Sequence, residues 1–494
     1  MSRRYSRGCS RVLIAALLFA MVPTGPFNAS ANSLVPVKIA VAVPITAGAE
    51  VLGAGVRDGV RLAVAEYGAR LASAGVTVTV TVRDDKGDPS KAASNAHGVI
   101  ADSSIVGVVG HLNSGCSIPA ARIYAQKSLA MVTPSSTNPS LTQLGLHNVF
   151  RTVATDAKQG SFAADVACSK FRLRKAYIVD DSEPYGEGLA SGFRSRFEAL
   201  GGTVAGRAKT SDTQTHFSAL VAKIKAKNPS VVYYGGIYYA GALLARQLKN
   251  AGVSAVFMGG DGIFDPAFVS KAGATRASGA AATNLGYAID QMPGGLSFRS
   301  RYKAMFGHAE RSSYDAYAYD AAQSVLEAII TVVDGHGTSA LLGSGGRGLV
   351  RAEVAKSAFH GVTGSIGFNS VGDTKYPAVS VYRVKNGAWR ECALVGTPVV
   401  MPAPTSGVAF TASGTLRPHH TSGTDVAKLR FWRLEGSSWV LHKTVWAKAS
   451  NSGVFTKYSV HVKLTGPGSW RVSAEHADAQ HPAMRSLLRR FTLK

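Results

Sequence analysis

Apolar runs and amphipathic stretches alternate along the first third of the chain. Apolar runs of four to seven residues are typical of buried parallel strands, and the longer stretches between them have the helical period. The predicted strands are Val37–Val43, Val76–Val82, Ile105–Val109 and Leu129–Val132. The predicted helices are Gly55–Ser73, Pro89–Asp102 and Ile118–Lys127. This alternation predicts a parallel sheet with right-handed crossover connections.

A second series of the same kind follows. Its predicted strands are Ala176–Val179, Val231–Tyr234 and Ala255–Met258, and its predicted helices are Glu187–Leu200, Phe217–Lys227 and Ala240–Ala251. Two further helices, Phe298–Met305 and Tyr314–Val333, precede two strands near Gly364–Phe368 and Val379–Val384. Two series of strands and helices indicate an α/β protein with two lobes.

The pattern changes after residue 400. Residues 401–407, Met-Pro-Ala-Pro-Thr-Ser-Gly, have the composition of a linker. From residue 408 the helical period disappears, and short alternating runs follow at about ten residues per strand. We therefore predict an antiparallel β-sandwich over residues 408–494. This region contains thirteen Lys and Arg against four Asp and Glu, a net charge of +9.

The N-terminus has the pattern of an export signal. Four arginines precede the apolar run Val12–Val22, and Ala29-Ser-Ala31 is a small-residue cleavage site. Eleven apolar residues are too few to span a bilayer as a helix. We predict a signal peptide over residues 1–31 and an exported, soluble mature protein, periplasmic or extracellular and not transmembrane.

The chain is strongly basic, with a formal net charge of +24 that becomes +20 without the four signal arginines. Because the charge is spread along the chain of an exported protein, nucleic acid is not the expected partner. An acidic cell-envelope polymer or an anionic membrane surface is one hypothesis for the basic C-terminal region, and a solvated basic surface is the other. Three cysteines remain after processing, Cys116, Cys168 and Cys392, so at least one is unpaired, and we expect Cys168 to be buried.

Two polar loops directly follow predicted strands. They are residues 110–116, which include Ser114, and residues 133–139, which include Ser135 and Thr137. Open α/β sheets bind ligands beyond the carboxyl ends of their strands, so these loops are a predicted binding site for a small charged molecule. The alternative is that these residues only cap helices and form turns. Neither loop has a nucleophile beside a base, and the chain lacks P-loop, zinc-protease and nucleophile-elbow motifs, so we expect no enzyme, no metal and no cofactor.

Several short motifs lie in the order, and at about the spacing, of those in the leucine/isoleucine/valine-binding proteins, the type I solute receptors of ABC import systems. They are Asp84-Asp85, Gly110-His111-Leu112, Val132-Thr-Pro134, Tyr185-Gly-Glu-Gly188, Val232-Tyr-Tyr-Gly-Gly236, Phe257-Met-Gly259 and, near the end, Gly361–Phe368 with Gly372-Asp373. The region from Val35 to Trp389 therefore resembles that family. The C-terminal region lies outside the resemblance.

The resemblance implies a type I periplasmic-binding-protein fold, with two doubly wound parallel sheets joined by a three-crossing hinge. The crossings would lie near Ala154–Asp156, near Thr283–Leu285 and after Val350. Lobe 1 would then comprise residues 35–155 and 284–355, and lobe 2 residues 156–283 and 356–400. Such lobes close around a ligand by hinge motion.

The resemblance also implies roles for particular residues around an amino-acid ligand. Ser114 would bind the ligand carboxylate through its hydroxyl and N–H groups. Ser135 would accept from the ligand ammonium with its backbone carbonyl, and Thr137 would contact both groups. Tyr185 would cover the ligand from lobe 2. Asp261, where the family usually has Glu, would pair with the ammonium.

The chain departs from the family pattern at the wall that would contact the ligand side chain. Ile237 and Leu52 replace aromatic residues, and Tyr314 keeps an aromatic position. Either Tyr238 or Tyr239 is a shifted substitute for the aromatic residue replaced by Ile237. The family's first-lobe disulfide positions correspond to Gly87 and Asn113. We expect an extracytoplasmic receptor that delivers a branched-chain amino acid or related small polar solute to an ABC permease. The alternative is a ligand sensor or an adhesion protein that uses the same clamp.

Overall fold

The structure is a computed structural model of the 494-residue chain. It describes residues 33–47, 49–343, 345–392, 394–395, 399–401, 404–417, 423–452, 455–476, 484–486 and 489–494. The predicted signal peptide, residues 1–31, lies outside the described residues. None of the described helices is long and apolar enough to cross a membrane.

The first lobe is built on a parallel five-stranded sheet with the order β2-β1-β3-β4-β5. Its strands are β1 (Val35–Val43), β2 (Val76–Asp84), β3 (Ile105–Gly110), β4 (Ala130–Thr133) and β5 (Val149–Arg151), and its first helices are α1 (Glu50–Ser73), α2 (Pro89–Ala101) and α3 (Ser114–Ala125). The four predicted strands and three predicted helices are present. The sequence analysis missed β5, which has only three residues.

The second lobe has a seven-stranded sheet with the order β14-β13-β10-β9-β8-β6-β7. Its elements up to residue 285 are α4 (Asp156–Asp165), β6 (Lys175–Asp180), α5 (Pro184–Ala199), β7 (Thr203–Lys209), α6 (Ser218–Lys227), β8 (Val231–Gly235), α7 (Tyr238–Asn250), β9 (Val256–Gly259), α8 (Pro266–Ala272), α9 (Ala274–Ala277) and β10 (Ala281–Leu285). Strands β6 to β10 are mutually parallel. Edge strand β7 has no buried residue and was not predicted.

The chain then returns to lobe 1 and crosses once more to lobe 2. Helices α10 (Gly295–Phe306), α11 (Ser313–His336) and α12 (Gly346–Ala355) are followed by the hairpin of β11 (Ala358–His360) and β12 (Ser365–Gly367), and strands β13 (Val379–Lys385) and β14 (Ala388–Glu391) end the lobe 2 sheet. Strand β13 pairs antiparallel with β10, and β14 pairs antiparallel with β13. The two-lobed α/β architecture is thereby confirmed.

The last crossing lies later than the predicted boundary at residue 356. Ile366 and Phe368 are buried in the core of lobe 1, and Arg151 N–H donates to the Gly372 carbonyl at 2.9 Å. Residues 358–373 therefore pack on lobe 1, and the chain enters lobe 2 between Asp373 and β13. These residues were predicted in lobe 2 because the resemblance put the third crossing directly after Val350. The hydrophobic pattern near Gly364–Phe368 did not correct this, since it does not distinguish a hairpin strand from a sheet strand.

The C-terminal region is an antiparallel β domain, as predicted. Its strands are β15 (Leu394–Val395), β16 (Val399–Met401), β17 (Ala409–Arg417), β18 (Asp425–Glu435), β19 (Ser438–Ser452), β20 (Phe455–Lys463), β21 (Gly468–His476), β22 (Met484–Arg485) and β23 (Arg489–Leu493). In the described residues these strands join into one sheet, so a two-sheet sandwich stays a prediction. Because β15 and β16 pair with β17, the domain begins before the predicted linker at residues 401–407, and Ser406 and Gly407 bond within the domain.

Candidate functional site

A cavity of about 1080 Å³ lies between the two lobes. Lobe 1 lines it with Leu52 at the start of α1, with Gly87 and Asn113 from loops at strand ends, and with residues 311–314 at the start of α11. Lobe 2 lines it with residues 237–239, which follow β8, and with residues that follow β9, including Asp261. The cavity therefore lies at the carboxyl ends of strands of both sheets, where ligands of open α/β sheets bind.

The structure separates the predicted site residues into two sets. Five of them line the cavity, namely Leu52, Ile237, Tyr238, Asp261 and Tyr314. The other four, Ser114, Ser135, Thr137 and Tyr185, do not line the cavity, and the first three are almost completely buried. The predicted side-chain wall therefore lies around the cavity, and the predicted polar groups lie mainly behind it.

Hydroxyl groups join the two polar loops of lobe 1. Thr133 Oγ1 donates to the His111 carbonyl at 2.9 Å, and Ser135 Oγ donates to the Leu112 carbonyl at 2.9 Å. Ser136 Oγ lies 3.1 Å from each of those two carbonyls. These bonds hold the loops together, which gives the three hydroxyls a structural role.

A buried arginine also binds the backbone of the second loop, residues 133–139. The Arg151 guanidinium donates to the carbonyls of Ser136 and Asn138 at 3.0 Å each and forms an ion pair with Asp373 at 2.6 Å. Arg151 is completely buried, and a buried guanidinium requires such charge-assisted bonds. The backbone of this loop is therefore fixed before any ligand arrives.

Ser114 is the first residue of α3. Its hydroxyl accepts from Asn138 N–H at 3.2 Å, so its own proton is left to donate. The N–H groups of a first helical turn have no acceptor within the helix and attract anions. This position suits the predicted contact with a ligand carboxylate.

Asp261 connects the two lobes. Its Oδ1 accepts from the Tyr185 hydroxyl at 2.8 Å, and its Oδ2 accepts from the hydroxyl of Tyr314, which belongs to lobe 1. The Tyr185 hydroxyl also accepts from Gly262 N–H at 2.8 Å. Burial raises the pKa of Asp261, and the two tyrosine hydroxyls and Gln159 partly oppose that effect.

Asp156, which was not among the predicted site residues, lies close to Thr137 and Asp261. It is the first residue of α4, is completely buried, and has a pKa raised well above the ordinary value by burial. The Thr137 hydroxyl opposes this shift, and the nearby charge of Asp261 adds to it. An Asp after Thr155 at a helix start has the sequence pattern of a cap, which concealed it.

Several buried polar atoms around Asp156 lack a partner. They form no hydrogen bond of normal geometry to the residues that the structure describes, and they are Thr137 Oγ1, Asp156 Oδ1 and Oδ2, Gln159 Oε1 and the Tyr233 hydroxyl. A buried polar group without a partner costs about 1–3 kcal/mol. All of these oxygens accept hydrogen bonds, so the cluster is suited to a ligand group that donates several.

A glycine allows the approach of α5 to this cluster. A methyl group at Gly188 would lie 2.5 Å from Asp156 Oδ2, closer than non-bonded atoms pack. The motif Tyr185-Gly-Glu-Gly188 is thus explained by close packing at the helix start in addition to a tight turn.

The cavity wall beyond Asp261 is largely apolar. Its lining includes Leu52, Ile237, Tyr238, Phe264 and Trp389, and the rings of Phe264 and Trp389 lie 5.6 Å apart.

The two positions that the resemblance relates to a disulfide, Gly87 and Asn113, are adjacent here. A methyl group at Gly87 would lie 3.6 Å from Asn113 Oδ1.

The cysteines are not part of the site chemistry. Cys116, Cys168 and Cys392 are buried and are not joined to one another in the structure, and the prediction that Cys168 is buried is confirmed. Burial raises the pKa of each thiol, which opposes thiolate formation.

The fold and the site define a two-lobed solute-binding protein, in which a cavity between the lobes lies at strand ends. The chain belongs to the periplasmic binding protein family, whose model matches residues 36–388. The C-terminal β domain lies beyond that match.

Individual relatives agree with this assignment. The Leu/Ile/Val-binding protein homolog 1 of Brucella abortus is 31% identical over 352 residues, which are 71% of this chain and 91% of the relative. The crystal structure of the leucine-binding protein LivK of Thermotoga maritima is 28% identical with a TM-score of 0.64, covering 72% of this chain and 97% of that one. LivJ of Streptococcus pneumoniae in complex with isoleucine, 24% identical with a TM-score of 0.63 and covering 72% and 97% of the two chains, supports the fold alone.

Proposed function

We propose that this protein is an extracytoplasmic receptor that closes its lobes on an amino acid and delivers it to an ABC importer. The relatives, which include Leu/Ile/Val-binding and leucine-binding proteins, support the ligand class. The predicted export signal, although outside the described residues, supports the location. The relatives are solute-binding proteins, which argues against an enzyme.

The cluster of unpartnered acceptors carries the proposal. An α-ammonium group donates three hydrogen bonds. The buried oxygens of Thr137, Asp156 and Gln159 are acceptors that have no partner among the described residues. The carboxylate of Asp261 lies near the same group. Two carboxylates beside an ammonium offset its desolvation, which costs several kcal/mol for an isolated buried ion.

The opposite end of the ligand requires hydrogen-bond donors. The start of α3, with the Ser114 hydroxyl and the N–H groups of Ser114 and Gly115, is suited to supply them. A ligand with an ammonium at one end and a carboxylate at the other matches both groups. The apolar wall of Leu52, Ile237 and Trp389 favours an apolar side chain, branched-chain or larger.

In this proposal Asp156 positions the Thr137 hydroxyl. If the hydroxyl donates to Asp156, the oxygen of Thr137 presents its lone pairs to the ammonium. Tyr185 and Tyr314 hold the carboxylate of Asp261 from both lobes, so closure brings the ammonium partners into place.

Calorimetry of the ligand-free mature protein tests this proposal. The titrants are the twenty amino acids, small amides, and short-chain and aromatic acids that lack an ammonium, such as benzoate. We expect micromolar or tighter binding of one or more amino acids with apolar side chains. Failure of every amino acid to bind a folded sample would refute the proposal.

Attachment to the cell envelope is the second function that we propose, for the C-terminal domain. Its net charge of +9 supports contact with an anionic polymer or membrane surface, and either contact would serve a receptor, a sensor or an adhesion protein. Retention of the protein in cell-envelope fractions, compared with a chain that ends at residue 392, tests this attachment.

A further inference from the structure

One exposed sheet face of the C-terminal domain is aromatic and basic where a polar face is expected. It carries three of the five tryptophans of the chain, Trp432, Trp439 and Trp446, together with Arg471 and Arg490. We call these five residues the tryptophan–arginine face. Exposed aromatic patches of this kind mark interaction sites more often than solvated surfaces.

Strand register places these side chains on one side of the sheet. Lys428 pairs with Trp446, and Trp432 pairs with Leu441 on β19 and with Arg471 on β21. Residues two apart on a strand point to the same side, so the side chains of Lys428 and Trp432 share this face. The opposite side carries Leu429 and Phe431, which are completely buried.

A β-bulge is needed to bring Trp439 to this side. Between Phe431 and Trp432 the register with β19 shifts, so that Lys443 and Leu441 oppose them and His442 is the extra residue. Without the bulge, Trp439 and Trp446 would point to opposite sides, since their separation is odd. Bulges of this kind re-aim side chains and are frequent near functional sites.

Cations lie against the rings. The Arg471 guanidinium lies 5.3 Å from the centre of the Trp432 ring and 4.7 Å from that of Trp439. Lys428 Nζ lies 4.8 Å from the Trp446 ring, and Trp446 is 48% exposed. The stacking holds rings and charges in fixed positions, so a ligand does not have to order them.

The face suits a long, flat, anionic ligand. Trp439 and Trp446 lie on the same strand about 20 Å apart at the strand rise per residue, so a small solute cannot contact both. Aromatic rings stack on the apolar faces of sugar rings, and arginine binds carboxylates through two parallel hydrogen bonds. We propose that the tryptophan–arginine face binds an acidic polysaccharide, an inference that rests on the proposed attachment role of this domain and not on the amino-acid clamp.

A lipid surface fits this face less well. Membrane-binding surfaces bury their apolar side chains at the boundary of headgroups and acyl chains. Here the rings lie along a sheet that also presents Thr444 and the Arg430–Glu475 ion pair, 3.1 Å between Nη1 and Oε2. Burying those polar groups in lipid has a cost that contact with a hydrated sugar chain does not have.

Binding of the full mature protein to four probes tests the inference. The first two probes are the acidic polysaccharide polygalacturonate and the neutral polysaccharide dextran. The third is poly-L-glutamate, which has the charge without sugar rings, and the fourth is vesicles of phosphatidylglycerol and phosphatidylcholine. We expect polygalacturonate to bind at least about tenfold more tightly than any other probe, a difference of about 1.4 kcal/mol. Tryptophan emission should also change on its addition, which requires no variant.

Two variants with matched controls locate the contact. Trp446→Ala and Arg471→Ala should each weaken polygalacturonate binding about tenfold, in the range seen for buried aromatic and arginine anchors. Tyr376→Ala removes an exposed aromatic residue of the solute-binding part, and Lys457→Ala removes an exposed cation from another strand of the C-terminal domain. Both controls should bind like the wild type.

The remaining outcomes contradict the inference. Equal binding of poly-L-glutamate would show that charge alone suffices. Vesicle binding as tight as that of polygalacturonate would favour a membrane partner. It would refute the polysaccharide proposal and leave the proposed attachment role in place. Wild-type binding by Trp446→Ala would show that the face is not the site. In every case amino-acid calorimetry on the same sample tells whether the clamp functions.

Discussion

The two halves of the clamp use polar groups differently. In lobe 1, the hydroxyls of Thr133, Ser135 and Ser136 bond to carbonyls of the neighbouring loop. At the start of lobe 2, Asp156 and Gln159 present buried oxygens without a partner among the described residues. Polar side chains thus build the scaffold in lobe 1, and in lobe 2 they present buried acceptors without a described partner. Thr137 is the exception in lobe 1, since its hydroxyl belongs with the unpartnered group.

The largest expected effect is that of removing the charge of Asp261. Asp261→Asn keeps the shape and an acceptor for the tyrosine hydroxyls, but it leaves the ligand ammonium with one carboxylate fewer. Removing one partner of a buried charge pair costs about 2–5 kcal/mol, so amino-acid affinity should fall at least about thirtyfold. Calorimetry measures it.

Two comparisons make this result specific. The first comparison uses an analogue of the same amino acid that lacks the amino group. The Asp261→Asn variant should bind this analogue as tightly as the wild type does. Asp212→Asn, which changes another acidic residue of the cavity wall, should bind the amino acid within about threefold of the wild type, as expected for a charge without a ligand contact. Equal losses for both ligands would assign Asp261 a structural role only.

Loss of the Thr137 hydroxyl should give the next largest effect. Thr137→Val keeps the shape and removes a hydrogen bond to a charged group, which is worth about 1.5–3 kcal/mol or about ten- to a hundredfold in affinity. Affinity should fall more than stability, because the hydroxyl bonds to no described backbone group. A stability loss with unchanged affinity would move Thr137 to the scaffold.

Ser136→Ala should do the opposite. This buried hydroxyl lies 2.7 Å from Ser117 Oγ and 3.1 Å from the His111 carbonyl, so its removal should lower the free energy of unfolding by about 1–3 kcal/mol. Affinity for the amino acid should stay within about threefold, since Ser136 has no predicted ligand contact. Denaturant titration and calorimetry on the same sample measure the two quantities. A large loss of affinity at unchanged stability would show that Ser136, like Thr137, contacts the ligand.

The last expected effect, the smallest per pH unit, is on the pH dependence of stability. Burial raises the pKa of Asp156, so between about pH 4 and that raised value the folded, ligand-free protein holds a proton that the unfolded chain releases. Stability therefore falls as pH rises through this window, by up to about 1.4 kcal/mol per unit. Asp156→Asn should flatten the slope.

Other buried acids do not obscure that comparison. Burial raises the pKa of Asp181 to about 7 and those of Asp315 and Asp320 to about 6, and all three are present in both proteins. The difference between the two slopes isolates Asp156. Parallel slopes would mean that Asp156 ionises normally in the ligand-free protein.

The sequence predicted the parts of this protein that have strong patterns. Apolar runs located the central strands, and the motifs from Asp84 to Asp373 located both lobes. Short strand β5, polar edge strand β7 and the hairpin of residues 358–367 were missed or misplaced, because their pairing depends on tertiary neighbours.

The site was predictable only in part, for a similar reason. Nothing in the sequence distinguishes the hydroxyl of Ser136, which bonds to backbone, from that of Thr137, which does not. Asp156 was predicted only as part of a hinge crossing, because its burial depends on the close approach of α5, which Gly188 allows. Whether a polar atom has a hydrogen-bond partner is a property of the folded structure. It distinguishes the structural hydroxyls from the proposed ligand contacts here.

The central claim is that the clamp recognises an ammonium group by buried carboxylates. The most direct measurement compares, by calorimetry on the ligand-free wild-type protein, the best-binding amino acid with the same molecule lacking its amino group. We predict at least about a hundredfold weaker binding of the second, because it leaves those carboxylates unpaired. Equal affinities would contradict the account.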